Sequence, residues 1–106
     1  MSKSDSATVA SLNGFDKLLE HRVRLAICVL LSRHDSISFR SFKELLDETD
    51  GNLGANLRKL EDEGYIEVDK QFADRKPVSW YRITDQGRKS LVRHVESLTG
   101  LLKQVE

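Results

Sequence analysis

From Phe15 to Arg33 apolar residues recur at Phe15, Leu18, Leu19, Val23, Ala26, Ile27, Leu30 and Leu31, three and four positions apart, which predicts a helix. Leu25, Cys28 and Val29 lie off that stripe, so the helix is apolar on more than one face and belongs at the centre of a fold or between two partners. After the polar break "RHDS" comes "ISF", a very short strand. Ser41 precedes Glu44 by three positions, the capping-box spacing, and predicts a second helix from about Ser41 to Asp47 that buries Phe42, Leu45 and Leu46. Asp50 is placed to cap a third helix, residues 50–63, with Leu53, Leu57 and Leu60 on one face and Gly64 as its terminating glycine.

Beyond Gly64 the period changes. "YIEVDKQF" alternates in the manner of a strand and "VSWYRI" is a second β-rich run. The basic loop "ADRKP" between them makes a hairpin with a charged tip, its proline suited to a turn. Of Trp80 and Tyr81, neighbours on a strand, one faces the core and the other is partly exposed. Thr84 caps a last helix running to about Lys103, and the opening "MSKSDSATVAS" reads as a flexible polar tail over residues 1–13. Helix, short strand, helix, helix, strand, strand, helix is an α+β order. It describes a winged helix-turn-helix over residues 14–106: a three-helix core, a wing hairpin of two to three strands, and a long C-terminal helix over about 84–104.

Composition alters this picture in three places. The longest apolar run, Leu25 to Leu31, is far short of the ~20 residues of a membrane span, so no membrane partner is expected. A single cysteine, Cys28, allows no intrachain disulfide and fits a reducing cytoplasm. The 17 basic and 17 acidic residues cancel, which argues against strong non-specific binding to nucleic acid, but they are unevenly spread. Lys70, Arg75, Lys76 and Arg82 against Asp74 give residues 70–82 a net charge of +3. Arg58 and Lys59 against Asp50, Glu61, Asp62 and Glu63 give residues 50–63 a net charge of −2.

The segments "FRSFKELLDETDGNLGANLRKLEDEGYIEVDKQF" and "DRKPVSWYRITDQGRKSL" resemble the small winged-helix transcriptional regulators related to the MarR and ArsR types. The resemblance rests on Asp50-Gly51-Asn52-Leu53, Asn56-Leu57, Leu60-Glu61, Gly64-Tyr65, the wing "RKP", Tyr81, Ile83-Thr84 and Gly87, and it spans about Asp16 to Leu102. It implies double-stranded DNA as the partner. Gly54 and Asn56 stand where such proteins often carry Ser and His, so base contacts at those two positions do not carry over. Glu48 stands where an apolar residue is common ahead of the recognition helix.

At 100° per residue the buried leucines of the third helix turn Gly51, Ala55, Arg58 and Asp62 outward, with Asn52 and Lys59 on the flank and Asn56 near the boundary. Such a helix fits a major groove. Gly54 and Ala55 permit close approach, Asn52 and Asn56 suit adenine, and Arg58 suits guanine or a phosphate. Arg75 and Lys76 in the wing suit the backbone or the minor groove, and Ser38, Arg40, Ser41 and Lys43 suit phosphates. Leu91, Val95, Leu98, Leu102 and Val105 follow the four-three spacing of a coiled-coil seam and predict a homodimer, although Gly100 costs a helix about 1 kcal/mol. A two-fold dimer of this kind reads a pseudo-palindromic operator, most simply as a repressor. The zero net charge and the acidic end of the third helix favour a different reading, a winged helix that docks on other proteins within a larger assembly.

His21, His34 and His94 show no paired spacing and Cys28 has no second cysteine near it, so no metal or other cofactor is expected. No phosphate loop, nucleophile elbow or HExxH occurs, and no enzyme is expected. Nothing in the sequence specifies a small-molecule effector.

Overall fold

The computed structural model describes residues 2–106. The chain runs α1 (Lys3–Asn13), a 3-10 turn (Lys17–Glu20), α2 (Arg22–Ser32), β1 (Ile37–Ser38), α3 (Phe39–Leu46), α4 (Asp50–Asp62), β2 (Ile66–Ala73), β3 (Lys76–Ile83) and α5 (Asp85–Val105). The strands form one antiparallel sheet in the order β1-β3-β2, and helices pack on it to give an α+β winged helix.

The central helix is buried on several faces, as its pattern predicts: Val23, Ile27, Cys28 and Leu31 of α2 meet Leu19, Phe42, Leu53, Leu57, Leu60, Ile66, Tyr81 and Leu91 in one core. It begins later than the apolar repeat suggests, because two side chains compete with the helical ladder. Asp16 accepts hydrogen bonds from the backbone N–H groups of Leu18 and Leu19, making the 3-10 turn, and His21 Nδ1 accepts from Val23 N–H to start α2. Burial, reinforced by the nearby Asp16 carboxylate, pushes the Cys28 thiol up to about 12. A buried thiol held protonated in this way is a poor nucleophile.

Several boundaries differ from expectation. The segment expected as a tail is helical from Lys3 to Asn13; Met1 lies outside the described residues. Ser2 and Asp5 form a reciprocal capping box at its start, and it lies along α5. Ser11 sits against Gly100 and Gly14 against Ser97, so closely that a Cβ on either glycine would collide with the serine. Gly100 therefore serves a close helix–helix approach. The second helix starts at Phe39, with Ser38 as its cap accepting from Ser41 N–H at 3.1 Å, whereas the spacing had suggested Ser41 with Glu44. Leu45, expected inside, is 61% exposed. Thr49, not Asp50, caps α4 by accepting from Asn52 N–H at 3.1 Å.

After α4 the backbone closes as expected. Gly64, at φ +81°, lets Tyr65 N–H reach Leu60 C=O and its own N–H reach Glu61 C=O, a Schellman ending. The wing loop is tighter than "ADRKP" suggests. Ala73 pairs with Lys76, leaving only Asp74 and Arg75 in the turn, both left-handed at φ 52° and 66°. That is the type I′ geometry that matches the twist of a hairpin. Pro77 lies in β3 opposite Phe72, one pair on from the closing hydrogen-bonded pair, so its missing N–H faces the side that β1 does not reach. Tyr81 takes the core position and Trp80 is 38% exposed. Thr84 caps α5 as expected, accepting from Gly87 N–H.

Candidate nucleic-acid interface

The rotational setting of α4 decides which side chains face outward. Leu53, Leu57 and Leu60 are at most 1% exposed and point at α2. Asn56 lies on the same side and is 6% exposed. Its Oδ1 accepts from Arg24 Nη1 at 3.0 Å, and its amide nitrogen donates to Asn52 C=O at 2.9 Å. Arg24 Nε in turn donates to Leu18 C=O at 2.7 Å, so one guanidinium ties the 3-10 turn to α4. Asn56, expected to face adenine, is instead a buried anchor. Its partner Arg24 stands 32 positions earlier, and nothing in the local pattern marks the pair.

The outer face of α4 is shallow and open. Asp50, Gly51, Gly54, Ala55, Arg58, Lys59 and Asp62 line a hollow of about 490 Å³. Gly14, Gly64, Gly87 and Gly100 each have protein atoms within about 3 Å of where a Cβ would stand. Gly51 has nothing within 4 Å, and Gly54 only the edge of Phe39 at 4.0 Å. Internal packing thus gives no reason for a glycine at either position, and Gly54 inside a helix costs about 1 kcal/mol relative to alanine.

The cations of α3, α4 and the wing fall into two groups. Arg40 and Lys43 of α3 are exposed and paired, Arg40 with Glu44 at 3.4 Å and Lys43 with Asp50 at 2.8 Å. Exposed pairs of this sort contribute about 0.2–1 kcal/mol, so a phosphate can replace either carboxylate at little cost. Asn52 donates to the Glu48 carboxylate, and the Ser41 hydroxyl accepts from Ser38 at 3.0 Å within the cap of α3. Arg58, Lys59, Arg75 and Lys76 have no carboxylate partner within ion-pair distance among the described residues. Arg82, part of the wing's apparent +3, pairs with Glu67 at 3.1 Å near the base of the hairpin. The free cations of the wing are therefore concentrated at its tip.

The tip itself is locally unfavourable. Type I′ turns prefer glycine where Arg75 stands, and a non-glycine residue held left-handed costs roughly 1–2 kcal/mol. Between the tip and the start of α3, a groove of about 490 Å³ is lined by Phe39, Arg40, Lys76, Pro77, Val78 and Trp80, along with Ser38 and Ser79.

A sequence profile described as a winged helix DNA-binding domain matches residues 23–102. The chain belongs to that family. An uncharacterized protein of Methanocaldococcus jannaschii is 32% identical over 90 residues, which is 85% of this chain and 98% of the relative. The transcriptional regulator homologue protein of Pyrococcus horikoshii OT3 superposes with a TM-score of 0.78 at 32% identity, over 84% of this chain and 88% of that one. Sco3205, a MarR family transcriptional regulator of Streptomyces coelicolor solved in complex with DNA, shares the fold with a TM-score of 0.69. Its identity is 17%, over 94% of this chain and 67% of its own. Within the winged-helix domain α3 and α4 are the helix-turn-helix and the β2–β3 hairpin is the wing. The structure also brings Arg40 and Lys76 to opposite sides of one groove, which spacing along the chain could not show.

The seam expected on α5 is only partly free. Leu91 is 6% exposed and belongs to the domain's own core, which takes it out of the stripe. Val95, Leu98, Leu102 and Val105 are 38–81% exposed, and Val9 and Leu12 of α1 are about half exposed beside them. Among the described residues there is no group of three or more metal-ligating side chains, and no helix is long and apolar enough to cross a membrane. His94 is buried and occupied: its Nδ1 accepts from Asp16 N–H at 3.0 Å. Tyr65 donates to the same aspartate, and burial, then that bond, raises its pKa. Burial likewise raises Tyr81.

Replacing Asn56 with alanine strands the Arg24 guanidinium. The expected cost is about 2 kcal/mol of folding stability, read as a lower denaturant midpoint with an unchanged slope.

Proposed function

We propose that this chain is a dimeric regulator that reads double-stranded DNA in the cytoplasm, most simply a repressor on a pseudo-palindromic operator. Helix α4 enters the major groove with Asn52, Ala55, Arg58 and Lys59, and Arg75 and Lys76 of the wing hold the backbone or minor groove. Ser41 and the exchangeable cations Arg40 and Lys43 meet phosphate near the start of α3. The observation that carries this reading is a pair of residue choices that each weaken the fold locally, one on the outer face of α4 and one at the tip of the wing. Gly54 sits in a helix that has room for alanine, and Arg75 sits in a turn that prefers glycine. A bare helix face lets the backbone come close to base edges, and a guanidinium at the hairpin tip meets phosphates. The Sco3205 complex with DNA supports the same target class for this fold. The free apolar stripe of α5 supports a second copy as its cover: a two-fold dimer sets two half-sites ~34–36 Å apart.

Two substitutions test the DNA surface by separating stability from binding. Gly54→Ala should raise stability by about 1 kcal/mol and weaken duplex binding about tenfold. Arg75→Gly should also stabilise the fold, weaken binding evenly across sequences and lower the salt slope by about 1. If both variants bind duplex DNA as the parent does, α4 and the wing are not the reading surface. A protein-docking role then takes precedence.

The dimer is tested by Val95→Glu combined with Leu102→Glu. Sedimentation should show the parent as a dimer and the variant as a folded monomer, and selection from a random duplex pool should enrich an inverted repeat with the parent only. A parent that sediments as a monomer would remove the two-fold reader.

A further inference from the structure

Phe72 is 80% exposed, the most exposed aromatic side chain among the described residues, and the fold gives it nothing to cover. Strand alternation places it on the same face of the hairpin as Val68 and Tyr81, and lower down this face packs on Phe42 of α3. Four residues beyond Val68 it stands ~13 Å further out, past the edge of the core. Pro77 lies directly opposite, in the kind of cross-strand pair that brings side chains closest together. The two rings make a stiff apolar knuckle, buttressed by a residue with almost no conformational freedom. Around it are Lys70 on the same face, and Arg75 and Lys76 at the turn, against one acid, Asp74.

A ring flanked by two lysines, Lys70 and Lys76, fits the centre of a protein–protein interface poorly, because lysine is depleted there. It suits a surface that is polyanionic at its edges and apolar between them. The minor groove of duplex DNA has that form: two rows of phosphates flank walls of deoxyribose and base edges, and apolar side chains of minor-groove proteins wedge there. We propose that Phe72, backed by Pro77, is the apolar minor-groove contact of the wing, packing on the groove wall while Arg75 and Lys76 hold the flanking phosphates. This rests on the DNA-binding reading above and adds to it a specificity element. A ring that needs room favours sites whose minor groove opens easily at the wing position, so the wing reads deformability as well as charge.

The two kinds of contact leave different signatures. Cations release counterions and set the slope of affinity against salt; an apolar ring does not. Binding of mixed-sequence duplex DNA is measured over a range of sodium chloride for the parent, Phe72→Ala, Phe72→Leu and Arg75→Ala. Phe72→Ala should bind about tenfold more weakly at every salt concentration along a line parallel to the parent's. Phe72→Leu should recover part of that loss, and Arg75→Ala should flatten the slope. Because the ring is exposed, thermal unfolding of Phe72→Ala should match the parent, so weak binding cannot be ascribed to misfolding. Parent-like affinity of Phe72→Ala, a changed salt slope, or a changed oligomeric state would each overturn the assignment to Phe72. A parent that fails to retain duplex DNA at low salt would instead remove the DNA-binding reading and this inference with it.

Discussion

The rotation of α4 about its own axis is the constraint on which the surface of this molecule depends. Three leucines fix it coarsely, each contributing about 1.5–3 kcal/mol by burial. Apolar contact alone tolerates some slippage. The hydrogen bond from Arg24 to Asn56 does not, because a small rotation would leave Nη1 of a partly buried guanidinium without its acceptor. With Asn56 held inward, Gly51, Ala55 and Arg58 can only face out. The same Arg24 is pinned to the Leu18 carbonyl, so α4 is registered against the start of the core as well as its middle.

A second polar junction joins the two ends of the molecule. Asp16 caps the 3-10 turn, accepts from Tyr65 just beyond α4, and donates its backbone N–H to His94 in α5. Helix α5 spans 21 residues, about 31 Å at 1.5 Å per residue, half of the molecule's 62 Å long dimension. Held at Asp16, it is tied to the winged-helix domain by a polar junction as well as by its core contacts. The separation of two heads in a two-fold pair would therefore follow from where the α5 stripes meet, not from a flexible hinge.

Most of this architecture was legible in the sequence because it rests on local, repeating signals. The leucine period of α4, Gly64 at its end, the alternation of the hairpin and the Thr84 cap each work within a few residues. What was illegible depends on residues far apart or on small ones. Asn56 looked like a surface residue because its partner lies 32 positions away. Leu91 looked like part of a free stripe because the pattern of one helix does not say which end is already covered. Ser38 and Ser41 both had the right chemistry for a cap, and only the fold chooses between them. Residues 3–13 hold Ala7, Val9, Ala10 and Leu12 among serines and charged residues without a strong apolar stripe, and the close approach of Ser11 to Gly100 is set by the fold. The wing charge was overcounted for a related reason: Arg82 meets Glu67 across the sheet, a pairing set by strand register.

That serine–glycine dock has a consequence for how the molecule comes apart. Helix α1 has no buried residue; its Ser11 lies against Gly100 of α5, and Gly14, which caps it, lies against Ser97. Contacts of this kind give close fit but remove little apolar surface from water, so they hold α1 in place without making it part of the cooperative unit. Its backbone amides then exchange with solvent through local opening, at a free energy well below that of the core around α2. Heating would then take the molecule apart in two layers, the outer helix before the inner domain, and lifting α1 would bare the α5 surface it covers while the inner domain stays folded.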